Sequence, residues 1–144
     1  MVDRPTLVEL LDAVRAHLEN HIVPLLKEDR KRYFQTLVAV NVLRIAEREL
    51  LLSAEQTQAE WARLNYVQKL DTPIPADPRA ARDALAELNR KLCVQINDGN
   101  YDSNPQQAAL YEHLLQTVFE QLQVGNPRFL QSLALEDTAR DQQP

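Results

Sequence analysis

Glycine and cysteine are scarce in this chain. Two glycines, one cysteine, one tryptophan and one methionine occur in 144 residues. Gly99 and Gly125 stand far apart, so no glycine-rich loop can cradle a phosphate. Cys93 is alone, which excludes an intrachain disulfide and fits a reducing cytoplasm. With no base placed beside it, Cys93 reads as a buried structural thiol rather than a nucleophile. No Gly-x-Ser-x-Gly, His-Glu-x-x-His or CxxC is present. No apolar run approaches the ~20 residues that span a bilayer. The opening "MVDRPTLVELLDAV" lacks the basic segment and long apolar run of a secretory leader. Positive charge is also thin, with a net charge of −5. Lys27, Arg30, Lys31 and Arg32 are diluted by Glu28 and Asp29, so they read as a solvated helix start. These absences predict a cytoplasmic protein with no nucleic-acid and no membrane partner.

What remains is helical periodicity, with almost no period-2 alternation. Thr6 and Glu9 form a capping box, and Leu7, Leu10, Leu11, Val14 and Leu18 follow as an apolar stripe. Pro24 predicts a kink or break near 20–23. A second helix covers about 30–52, with Phe34, Leu37, Val38, Val42 and Ile45 on its apolar face. Ser53 and Gln56 read as a second capping box, starting a third helix that ends near Leu70. "DTPIPADP" is an ordered connection or a short stiff linker. Asp77-Pro78 starts a fourth helix, carried by Ala81, Leu85, Leu88, Leu92 and Ile96. Gly99 ends it in a left-handed turn. Asn104-Pro105 repeats the starting device. Leu110, Leu114, Val118 and Leu122 line the fifth helix, flanked by Tyr111, Leu115 and Phe119, and Gly125 ends it in the same way. One more short turn, "PRFLQSL", should pack back. The expectation is an all-α fold: a compact bundle of about five helices over 4–133 as one domain, with a flexible, frayed tail over 134–144.

Chemistry-bearing residues do not converge in the sequence. His17 and His21 share a face at i, i+4, but Asp12 and Glu19 point elsewhere, so the pair reads as a helix edge near the core and not a metal site. His113 reads as a partly buried structural residue. No catalytic, cofactor-binding or metal-binding residue is assigned. Two polar groups remain as candidates for interface or structural roles. Asn41, Arg48 and Glu49 lie on or beside the apolar face of the second helix and need partners there. Asn126, Arg128 and Phe129 follow the fifth helix. There Arg128 either caps helix carbonyls or, with Phe129, anchors a partner.

Four blocks together resemble a known family: "RPTLVELLDAVRAHLENHIVPLL", "FQTLVAVNVLRIAEREL", "LNRKLCVQINDGNYD" and "VGNPRFL", in that order over residues 4 to 131. They are similar to the small bacterial proteins grouped as domain of unknown function 6285. The resemblance implies neighbours encoded beside it: kinases resembling aminoglycoside phosphotransferases, and acyl-CoA dehydrogenases. It implies a non-catalytic accessory subunit, similar to the small subunit of the hydroxyacyl-CoA kinase of levulinate catabolism. ATP and magnesium would then belong to the partner kinase, with no cofactor bound by this chain. The alternative is a self-associating helical scaffold, such as a homodimer, with no enzymatic partner.

Overall fold

The side-chain oxygen of Thr6 accepts the Glu9 amide at 3.2 Å, and Glu9 accepts the Thr6 amide at 2.7 Å. This reciprocal cap starts α1 (Leu7–His17) in the computed structural model, which describes residues 4–103 and 105–140, the last six as backbone. Every regular element among the described residues is helical, and the chain is all-α. After α1 come α2 (Arg30–Gln68), α3 (Pro78–Asn97), α4 (Gln107–Gly125) and α5 (Pro127–Arg140). The chain divides into two compact units, Met1–Ser53 and Ala54–Pro144.

In the first unit, α1 gives way to a π-helical turn, Leu18–Ile22, and a 3-10 turn, Val23–Leu26. Pro24 lies in the tighter turn, where its missing amide breaks the α-helical ladder as the sequence predicts. Arg15 ties this unit together. It bonds Glu47 of α2 at 3.0 Å and Glu19 at 2.6 Å, and pairs with Asp12, while Arg44 also pairs with Glu19. The apolar stripe expected to be the core is largely on the surface. Leu7, Leu10, Val14, Phe34, Leu37, Val38 and Val42 are exposed, and Val40 is the buried hydrophobic residue among those described in this unit.

α2 does not stop at Ser53. It runs through 39 residues, so the second and third helices expected from the sequence are one. Arg30 to Gln68 holds neither glycine nor proline, and serine inside a helix costs only a few tenths of a kcal/mol, roughly. Gln56 uses its side chain differently from a capping box. Its Nε2 donates to the Glu120 carbonyl oxygen at 3.2 Å and to Gln123 Oε1 at 3.3 Å. α2 stops at Gln68, and Lys69 follows it at φ 54°. Leu70 then donates its amide to the Asn65 carbonyl at 2.8 Å, closing a Schellman-type turn without glycine.

The core of the second unit is built from Trp61, Leu64 and Val67 of α2, Leu85, Leu88 and Leu92 of α3, then Tyr101 and Leu110. α3 follows the sequence closely. Asp77 accepts the Ala80 amide at 2.8 Å, Pro78 takes the first helical position, and Ala81, Leu85, Leu88 and Leu92 are buried. Ile96, expected with them, is exposed. The proline-rich connection is pinned back on α2: Trp61 Nε1 and Asn65 Nδ2 both donate to the Thr72 carbonyl, at 2.8 and 2.9 Å. Gly99 takes φ +75°, as expected of a helix-ending glycine. Gly125 does not. It is the last residue of α4, with no positive φ, because Asn126 makes the turn at φ −149°. Asn104 lies outside the described residues. The expected short turn is longer, as α5, since nothing in 128–140 is a glycine or proline that would stop a helix, and 141–144 of the expected tail lie outside the described residues.

α4 buries a face rotated from the expected one, with Leu110 shared between the two. Leu110, His113, Glu120 and Val124 face inward, with Thr117 half-buried between them. Tyr111, Leu114, Leu115, Val118 and Phe119 are exposed. The buried face tolerates polar residues because Glu120 finds partners there.

Candidate functional site

The second half of α2 and the first half of α4 line an open pocket of about 510 Å³. Ala62, Val67 and Ala109 supply small apolar walls, and Tyr66 adds a ring. Arg63, Glu112, His113 and Gln116 supply the polar groups. The helical register explains this grouping. Arg63 and Val67 lie four residues apart on α2, and Ala109, Glu112, His113 and Gln116 follow the i, i+3, i+4, i+7 pattern on α4.

Arg63 donates from Nη1 and Nη2 to the two carboxylate oxygens of Glu120, at 2.9 and 2.6 Å. Gln116 adds a bond to Glu120 Oε1 at 3.3 Å. The guanidinium charge is therefore matched before any ligand arrives. Arg63 Nε stays buried with no hydrogen-bond partner.

His113 is 2% exposed, and its Nδ1 also has no partner. Burial pushes its pKa below the ordinary histidine value, and the charge of Arg63 pushes the same way. Glu60 and Glu120 pull against both without reversing the shift. The imidazole is thus neutral near pH 7, with one nitrogen a donor and the other an acceptor. The site is consequently a mostly apolar groove with little net positive charge, and Arg63 Nε and His113 Nδ1 are covered by the protein around it.

His113 was legible in the sequence only as a partly buried structural residue; the structure buries it fully against this pocket. One signal could have marked it: His113, Gln116, Thr117 and Glu120 make a polar strip along a helix whose other side is apolar. None of the six candidate residues from the sequence lines the pocket. Asn41 and Glu49 are exposed and Arg48 is half-buried. Asn126 is a helix cap. It ends α4 by donating its amide to the Leu122 carbonyl at 2.8 Å, and its Oδ1 accepts the Phe129 amide at 3.4 Å at the start of α5. Arg128 and Phe129 are exposed.

Two further expectations are corrected. Cys93 is exposed, because it sits one residue past Leu92 on the outer side of α3. His17 and His21 are exposed rather than near a core, with ring centroids 5.3 Å apart and planes tilted by 39°. The stripe beside them is itself solvent-facing. No group of three or more His, Cys, Asp or Glu side chains suited to a metal ion occurs among the described residues. No helix among them is long and apolar enough to cross a membrane.

The sequence profile of the family described as Domain of unknown function (DUF6285) matches residues 24–129. No curated protein and no solved structure matches the chain.

Proposed function

We propose that this chain, which belongs to the DUF6285 family, is a protein-binding subunit: the non-catalytic accessory partner of a kinase resembling aminoglycoside phosphotransferases that acts on hydroxyacyl-CoA. The observation that carries the reading is the stripe on α4. Tyr111 and Leu115 are 69% and 59% exposed, and Leu114, Val118 and Phe119 lie beside them, on the side turned away from the buried face. An apolar helix face normally turns to the core. One left in water at i, i+3, i+4 and i+7 spacing matches the way an amphipathic helix meets a partner's groove. The kinase as partner rests on the four-block family resemblance. On that reading ATP and magnesium reside on the kinase, and this chain orders or completes its acyl-CoA pocket.

Co-expression with the kinase encoded beside it tests the reading. The two proteins should co-purify, and the kinase should lose activity without this chain. A kinase that is fully active alone and never co-purifies would overturn it. A second reading has one observation in its favour: the stripe carries no charge, so an identical copy meets no like-charge repulsion. Light scattering that stays monomeric across micromolar concentrations would exclude that self-associating scaffold.

A further inference from the structure

The first unit carries an apolar stripe of its own, on a different helix from the α4 stripe. Val40 is the buried hydrophobic residue among those described there, whereas Phe34, Val42, Val38 and Leu37 leave 67, 55, 46 and 39% of their surface in water. We infer that this face of α2 pairs antiparallel with the same face of a second copy of the chain, giving a two-fold dimer. The inference does not rest on the kinase reading.

Register and charge select that occupant. Lys31, Gln35, Val38, Val42, Ile45 and Glu49 follow one another at alternating steps of four and three, the seam along which two helices pack. The seam is symmetric about position 40. A two-fold axis there sets Val38 on Val42 of the second copy and Phe34 on Ala46, a large side chain over a small one. The same axis sets Lys31 against Glu49 of the second copy, and both residues are exposed. A parallel pair would instead oppose Lys31 to Lys31 and Glu49 to Glu49. A partner of unrelated sequence has no use for a stripe that complements itself. The size also suffices. The four apolar side chains expose roughly 350 Å² per copy, and at a non-polar share of about 60% an interface built on them covers roughly 600 Å² per copy, the lower end for stable pairs.

Sedimentation equilibrium on the full chain, from micromolar to submillimolar concentration, tests this. The mass should rise to twice the 16.5 kDa of one chain. Val38→Glu should abolish the dimer, with Trp61 fluorescence and the melting curve reporting that the chain stays folded. Lys31→Glu or Glu49→Lys alone should weaken the dimer about tenfold at low salt, because each opposes like charges at both ends of the seam. The two together should restore the parent affinity to within about twofold, since the pairs then reform with their signs exchanged. Leu115→Lys, on α4, should leave the dimer unchanged. A mass of one chain throughout overturns the inference, and a monomer that still binds the kinase overturns it alone. A dimer that survives Val38→Glu, or that Leu115→Lys dissolves, overturns it as well. So does a charge exchange that stays as weak as either single change, which decides even if Val38→Glu does not fold.

Discussion

Arg63 holds Glu120 in a two-pronged ion pair, at 2.9 and 2.6 Å, with 21% and 11% of the two side chains exposed. The pair joins α2 to α4 and fixes which face of α4 turns inward. Such a pair is costly to break from one side, because the remaining charge stays desolvated. Glu120→Gln should destabilise the protein by about 2–3 kcal/mol, below the fully buried range because Arg63 keeps some water. Replacing both partners, Arg63→Met with Glu120→Leu, should recover most of that loss. Urea denaturation of the single and double variants checks it. Equal stability of Glu120→Gln and the parent would mean that the pair does not hold α4.

Histidine burial gives a pH dependence with a definite sign. His113 has a lowered pKa in the folded chain and titrates near its ordinary value, ~6.5, when unfolded. Between those values the unfolded chain binds more protons, so stability rises with pH. This contribution is fully present above about pH 6.5 and is lost as pH falls through the folded value. Arg63 works with burial in this, against Glu60 and Glu120. His113→Gln should flatten the stability profile between pH 7.5 and the onset of carboxylate titration, roughly pH 5. A parallel profile for parent and variant would contradict the assignment.

Ser53 distinguishes a helix start from a helix interior. Were Ser53 a cap, Ser53→Ala would cost about 1 kcal/mol. Because α2 passes straight through, the substitution should be neutral or stabilising by up to roughly 0.5 kcal/mol, from the better helix propensity of alanine. Chemical denaturation reads the difference directly.

Local signals were legible and long-range choices were not. Thr6 with Glu9, Asp77 with Pro78, Pro24 and Gly99 each act within a few residues, and the structure uses each as the sequence implies. Ser53 with Gln56 has the same local pattern, yet Gln56 bonds α4 instead. The face of α4 failed for a related reason. Counting apolar residues selects Leu114 and Val118, whereas Arg63, 57 positions away from Glu120, decides what is buried. The pocket depends on that same pairing, and the polar strip His113, Gln116, Thr117 and Glu120 was its one local sign.

The Asn126–Phe129 stretch has separable roles. Asn126 caps α5 through Phe129, so Asn126→Ala should cost about 1 kcal/mol. Arg128 is exposed, so Arg128→Ala should change stability by less than about 0.5 kcal/mol. Thermal melts of the two variants check both. A large loss with Arg128→Ala would mean that it anchors the end of α4.

The α4 stripe is where the account stands or falls, and Leu115→Lys probes it most directly. Leu115 is 59% exposed, so a lysine there should leave the fold within about 0.5 kcal/mol of the parent. Affinity for the proposed kinase partner, measured by titration calorimetry, should fall by about 2 kcal/mol or more if Leu115 sits in the centre of the interface. A Leu115→Lys chain that is folded and binds the kinase as tightly as the parent would contradict the assignment of this face to the partner.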